Sequence, residues 1–174
     1  MRRRSGTGTM PKLAHLKHPD PMHLEAAAGW IQLGDHDSAN DELEKIRADV
    51  LNLRGLIYSH HKQWNACLDI ATAIVKMTPD RVLSWVNKAY SMRWANDGSI
   101  EKAKPVLLEA AKVFPDDGMI QYNLACYCSQ LGQLDAAKEY LGKSYDLGDA
   151  KQIKLMALDD EDLKPLWQGE AQQL

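Results

Sequence analysis

The sequence has few of the features that mark several common functional classes. Among its 174 residues are one phenylalanine and three cysteines, and the formal charge is −3 with a pI near 6.1. Nucleic-acid-binding domains usually carry a strongly basic face, so this charge does not favour a nucleic-acid partner. An odd number of cysteines at helical positions favours reduced thiols over a disulfide framework, and so a cytoplasmic protein.

Long apolar runs are also missing. No stretch approaches the ~18 apolar residues of a membrane span, and the N-terminus lacks the apolar core of a signal peptide. We therefore predict no membrane span and a cytoplasmic location. With 45% hydrophobic and 26% charged residues, the chain can bury the core of one domain.

Motifs for catalysis and metal binding are missing as well. His60 and His61 are adjacent, so on a helix their side chains point about 100° apart and do not chelate one metal together. Cys126 and Cys128 lie two residues apart, unlike the wider gap of a zinc or redox pair. No phosphate-binding loop or nucleophile motif is present. We predict a protein without enzymatic activity, catalytic residues, bound metal or cofactor.

The sequence does contain a clear helical pattern over residues 119–148. Two amphipathic helices of about a dozen residues each are predicted there, hinged at 131–133. Ala125 and Ala137 are placed where the helices touch, because antiparallel helices approach closely only where side chains are small. One such pair leaves an apolar face uncovered, so it needs neighbours.

The same pattern recurs upstream, which predicts four helix pairs at about 20–47, 48–81, 82–117 and 118–148. Each pair carries a small residue on each helix, and Pro79 and Pro115 end the second and third pairs. The small residues are Ala27 and Ala39, Gly55 and Cys67, Ala89 and Ala103, and Ala125 and Ala137.

This arrangement resembles the tetratricopeptide repeat family, which repeats every 34 residues and places small residues at positions 8 and 20 of each repeat. The resemblance implies an all-α fold, a right-handed superhelical array of antiparallel helix pairs (an α-solenoid). One spacing departs from the family. Ala39 and Cys67 are 28 residues apart, so the turn that leaves the first pair should be abnormally tight.

Two segments flank the repeats. Residues 1–19 show no apolar periodicity, and we expect them to be disordered or flexible. Residues 149–174 are expected to form a capping helix and tail that close the stack. The acidic cluster at 159–162 should start a short helix, since carboxylates suit helix N-termini.

The family resemblance also implies a function. It indicates a non-enzymatic scaffold that binds a peptide or amphipathic helix of another protein in a groove lined by the first helix of each pair. Tyrosine, tryptophan and arginine on that face are the residue types that most often anchor interfaces. The groove positions carried over from the family are Leu24, Ile31, Asn52, Leu56, His60, Val86, Tyr90, Arg93, Trp94, Tyr122, Cys126 and Gln130.

Alternatives stay open at this point. The chain could be a homo-oligomerising module whose groove is filled by another copy or by its own N-terminus. It is also similar in length and groove character to chaperones of type III secretion translocators. Tyr90 and Trp94 could simply belong to the core. The lysine and asparagine clamp that holds heat-shock chaperone C-termini is missing, because Leu24 and Ala28 stand at the leading positions.

Overall fold

The computed structural model describes residues 20–171, without the side chains of residues 20, 21, 24 and 169–171. The flexible segment predicted at 1–19 lies outside the described residues. Those described contain helices and no strand, as predicted. The helices are α1 (Asp20–Gln32), α2 (His36–His60), α3 (Trp64–Met77), α4 (Val82–Trp94), α5 (Ile100–Val113), α6 (Gly118–Gln130), α7 (Leu134–Leu147), α8 (Ala150–Asp159), a 3-10 turn (Glu161–Leu163) and α9 (Lys164–Ala171).

The tight turn predicted after the first helix pair is absent. A single helix, α2, runs through that point for 25 residues. Residues 47–54 contain neither glycine nor proline, so the sequence offers nothing to interrupt the helical hydrogen bonds there. The expectation of a tight turn was therefore wrong. The spacing between Ala39 and Cys67 is short because no loop separates the two pairs there. Helix α2 continues through that position instead.

The described residues divide into two compact units, one that ends at Ile46 and one that begins at Arg47. In the first unit, the Nδ1 atom of His23 lies 2.6 Å from the Oε2 atom of Glu42 and links α1 to the start of α2. Asp35 caps α2 by accepting a hydrogen bond from the backbone N–H of Ser38 at 3.0 Å. That bond stabilises the carboxylate and lowers the pKa of Asp35.

In the second unit, consecutive helices pack against each other from α3 to α8, and together they form an all-α repeat solenoid. The small residues predicted at helix contacts are buried, as expected from the close approach they permit. They are at most 5% exposed at Ala27, Ala39, Cys67, Ala89, Ala103, Ala125 and Ala137. The remaining position, Gly55, is half-buried, and a Cβ atom there would lie 3.6 Å from Ile70.

Three inner turns share one backbone conformation. Gly34, Lys62 and Gly132 have φ angles of +77°, +55° and +70°. In the turn after α6, the N–H of Gln133 donates to the carbonyl of Cys128 at 2.9 Å, which satisfies a carbonyl at the helix C-terminus. Glycine adopts this left-handed conformation without steric cost, whereas Lys62 is held in it by the surrounding turn.

The C-terminal segment is part of the core. Helix α8 packs on α7, and the 3-10 turn and α9 then return onto α6. Leu163 and Leu166 are 0% and 1% exposed, within the same hydrophobic cluster as the buried residues of α4 to α7. Burial of a leucine side chain contributes about 1.5–3 kcal/mol. The tail therefore does more than shield the last helix, because it completes the core of the unit.

We predict that Leu163→Ala lowers the free energy of unfolding by about 2–5 kcal/mol, through lost burial and the cavity left behind. Leu158→Ala is the matched control, since that leucine is 63% exposed and its loss should change stability by less than about 0.5 kcal/mol. Urea denaturation of both variants measures the difference. Equal effects would contradict a tail that belongs to the core.

Candidate interaction groove

A cavity of about 300 Å³ lies between the second half of α2, α3 and α4. Helix α3 forms its floor, and the facing sides of α2 and α4 form its walls. None of its lining side chains carries a charge. The lining residues are Asn52, Gly55, Leu56, Ser59, Trp64, Cys67, Ile70, Ala71, Ile74, Ser84, Asn87, Tyr90 and Ser91.

Three aromatic rings form a cluster at one end of this cavity. Trp64 begins α3, while Tyr90 and Trp94 lie one turn apart on α4. The ring centroid of Trp64 lies 5.6 Å from that of Tyr90 and 6.5 Å from that of Trp94, and the Tyr90 and Trp94 centroids are 6.4 Å apart. Tyr90 and Trp94 are nevertheless 46% and 47% exposed. The cluster, here called the aromatic rim, is thus packed internally and open to solvent outside.

The cavity also contains polar groups without partners. Ser84 and Ser91 are only 2% and 5% exposed, and neither hydroxyl has a hydrogen-bond partner among the described residues. The amides of Asn52 and Asn87 are likewise unpaired within this part of the chain. The two serines are buried, while Asn52 is half-buried and Asn87 is exposed. All four side chains can bind water or the polar groups of a ligand.

One cysteine lies on the cavity floor. The Sγ atom of Cys67 donates to the carbonyl of Gly55 at 3.6 Å, which joins α3 to α2. Burial raises the pKa of this thiol, so it stays protonated and is a poor nucleophile. Its role is to pack the two helices together.

Beyond α4, the face where α6 was predicted to receive a ligand is covered by the chain's own tail. The guanidinium of Arg93 donates to both carboxylate oxygens of Asp162, and the Nη2–Oδ1 distance is 2.8 Å. This bidentate bond raises the pKa of Arg93. The side-chain amide of Gln130 donates to the backbone carbonyl of Asp162 at 3.0 Å.

A second aspartate of the tail binds the same face. The hydroxyl of Tyr122 donates to the Oδ2 atom of Asp160 at 2.8 Å, and the thiol of Cys126 lies 3.6 Å from that oxygen. The other oxygen, Oδ1, accepts from the backbone N–H of Asp162 at 2.9 Å. Burial, and then the hydrogen bond to Asp160, raise the pKa of Tyr122. Burial and the negative charge of Asp160 raise that of Cys126.

Arg93 connects this tail contact to the aromatic rim. Its guanidinium lies 4.9 Å from the ring centroid of Trp94 and 5.7 Å from that of Tyr127. Cation–π contacts at these distances are attractive. Asp162 therefore fixes an arginine that covers part of Trp94.

The twelve residues predicted to line the groove fall into separate environments. Asn52, Leu56 and Tyr90 line the cavity, and Trp94 completes the aromatic rim. Arg93, Tyr122, Cys126 and Gln130 contact the tail. Val86 packs against the core, while His60 and Ile31 are exposed and the side chain of Leu24 is outside the described set. Their roles in binding stay predictions.

The cavity also contains residues that the sequence interpretation missed. That interpretation placed the groove on the first helix of each pair, whereas Trp64 and much of the floor belong to α3, a second helix. The sequence does indicate the α4 side of the cavity, because Ser84, Asn87 and Ser91 form a polar stripe along one face of that helix.

Metal-binding clusters and membrane-spanning helices are both absent from the described part of the chain. No group of three or more His, Cys, Asp or Glu side chains is arranged to hold a metal ion there. No helix within residues 20–171 has both the length and the apolar character needed to cross a membrane.

We predict that Asp162→Asn lowers the free energy of unfolding by about 1–3 kcal/mol, because it leaves the largely buried guanidinium of Arg93 without its charged partner. The control is Glu161→Gln. Within the described residues that carboxylate is 79% exposed and pairs with Lys164 at 2.5 Å, so its loss should cost no more than about 0.5 kcal/mol. Thermal or urea unfolding distinguishes the two, and equal losses would contradict a structural role for the Arg93 pair.

A pH dependence follows from the raised pKa of Cys126, which is 5% exposed. Above its ordinary pKa of 9.0, the thiol ionises in the unfolded chain while it stays protonated in the folded one. The unfolded state then binds fewer protons, so stability is lost as pH rises, by up to about 1.4 kcal/mol per pH unit for this group. Urea unfolding between about pH 9 and 10.5 should show a shallower decline for Cys126→Ala than for the original chain. Parallel declines would exclude this thiol as a cause.

Comparison with known proteins gives one family match. The tetratricopeptide repeat model matches residues 120–147, which contain most of α6 and all of α7. No curated protein matches the sequence significantly. Tetratricopeptide repeats generally mediate interactions between proteins. The match over residues 120–147 and the successive packing of helix on helix fit a helical repeat protein of the tetratricopeptide type.

Proposed function

We propose that the chain is a non-enzymatic interaction scaffold that binds a short segment of another protein in the cavity between α2, α3 and α4. The main support is the cavity's chemistry. Exposed aromatic rings stand beside two buried serines and the more accessible amides of Asn52 and Asn87, and these polar groups lack partners among the described residues. Apolar contact area with a few polar groups is the usual composition of a ligand site.

The tail contact limits where the partner binds. Four of the predicted groove residues already hold Asp160 and Asp162. Displacing the tail would also expose Leu163 and Leu166, at a cost of about 1.5–3 kcal/mol each. The proposed site is therefore the cavity and its aromatic rim, with Asn52, Leu56, Tyr90 and Trp94 as the predicted groove residues that take part.

Leu56→Glu tests this proposal. Leu56 lines the cavity and is 64% exposed, so a glutamate there should leave folding intact while it places a charge in an uncharged site. Peptides would first be selected from a random library on the original chain. Their affinity should then fall by about tenfold or more in the variant, a difference of at least ~1.4 kcal/mol.

Leu158→Glu is the matched control, because Leu158 is 63% exposed on α8 and does not line the cavity. The selected peptides should bind this variant as they bind the original chain. Equal loss in both variants, or none in either, would contradict the cavity as the site. Light scattering of the same samples separates peptide binding from self-association. If a second copy of the chain occupied the groove, Leu56→Glu would dissociate the oligomer into monomers and Leu158→Glu would not.

A further inference from the structure

Building on the proposed function, we infer that the cavity and its aromatic rim recognise an uncharged, proline-rich segment of a partner protein in the polyproline II conformation. The inference concerns the chemical class of the partner segment and leaves the location of the site unchanged.

The lining of the cavity carries no charge, and this limits the chemical class of the ligand. The lining contains no acidic or basic side chain, and burial raises the pKa of the Cys67 thiol so that it stays protonated at neutral pH. Arg93, the cation next to the rim, is already bound by both oxygens of Asp162. Burying an unpaired charge against such a surface is costly. The part of the partner that enters the cavity is therefore neutral, which excludes an acidic or phosphorylated motif there.

The geometry of the rim excludes a second ligand class. Its ring centroids are 5.6–6.5 Å apart, which is the spacing of aromatic rings in mutual contact. No gap is left between them for a methylated ammonium group. The rim instead presents ring surfaces side by side, to which a flat apolar group such as a proline ring can pack.

The aromatic rim carries hydrogen-bond donors that lack an acceptor. Within the described residues, the indole N–H groups of Trp64 and Trp94 and the hydroxyl of Tyr90 have no acceptor. The indoles of Trp85 and Trp167, by contrast, donate to backbone carbonyls. An indole can only donate, whereas the amides of Asn52 and Asn87 and the serine hydroxyls of the cavity both donate and accept. A segment that packs on the rim should therefore offer free carbonyl groups to the two indoles.

A polyproline II segment has that composition. Its backbone makes no internal hydrogen bonds, so its carbonyls are free, and each proline lacks an N–H group. An α-helix would instead satisfy most of its own carbonyls internally. Aromatic grooves that recognise proline-rich segments exploit the same preformed, low-entropy conformation.

The length of the open surface also favours a short extended ligand. The cavity measures about 300 Å³, which is the lower end of the range for ligand sites. Past Trp94, the neighbouring face is occupied by Asp162 and the rest of the tail. A long amphipathic helix would need this second half of the groove for its further anchors.

The test compares three synthetic neutral peptides of about ten residues, roughly 30 Å in the extended form. One is proline-rich with interspersed leucines, the second has alanine at every proline, and the third forms an amphipathic helix. Binding to the full chain is followed by tryptophan fluorescence and calorimetry. The proline peptide should bind at least about tenfold more tightly than either of the others.

Variants of the chain identify the contacts. Trp94→Ala should weaken the proline peptide by about tenfold, and Trp94→Phe, which keeps a ring but loses the N–H donor, by less. Asn87→Ala should weaken it several-fold. Asn123→Ala is the matched control, because that amide already donates to the carbonyl of Met119 on α6. Circular dichroism confirms that each variant is folded.

The results separate this inference from the proposed function. Equal or tighter binding of the alanine or helical peptide, or no measurable binding of the proline peptide, overturns the polyproline II assignment. If library-selected peptides still depend on Leu56, the cavity stands as a binding site for another class of segment. If they do not, the proposed function fails as well.

Discussion

Close approach of neighbouring helices is the constraint on which this structure depends. The helices of the second unit pack one on the next, and this is possible because a small side chain stands at each contact. Ala89, Ala103, Ala125 and Ala137 are completely buried. A larger residue at any of them would separate two backbones and move every helix beyond. The cavity depends on the same contacts, since α3 and α4 hold its floor and one wall at a fixed separation.

Much of the fold was predictable because the repeat pattern is local. Each helix pair can be recognised from its apolar spacing, a turn and two small residues, all within about 34 positions. The family spacing predicts a turn inside α2, whereas the local sequence favours a continuous helix. Residues 47–54 contain no residue that stops a helix. Where a regular repeat and local helix propensity disagreed, the local preference determined the structure.

The tail contact could not be predicted in the same way. Arg93 and Asp162 are 69 residues apart, and nothing in the sequence pattern specifies which cation pairs with which carboxylate. The acidic cluster was interpreted as the start of a helix, and that local role is real, since Asp160 accepts from the N–H of Asp162. The same carboxylate also binds Tyr122. One side chain thus serves a local cap and a distant contact, and only the cap is visible in the sequence.

The tail also has a consequence for how related sequences should diverge. Tyr122, Cys126 and Gln130 occupy positions that face a ligand in the family pattern, yet here they contact Asp160 and Asp162. A substitution at one of these positions therefore acts first on the packing of the chain's own C-terminal segment. In descendants of a common ancestor, they should change together with the tail. Trp64 and Tyr90 make no hydrogen bond to the tail within the described residues, so their substitutions should not follow it.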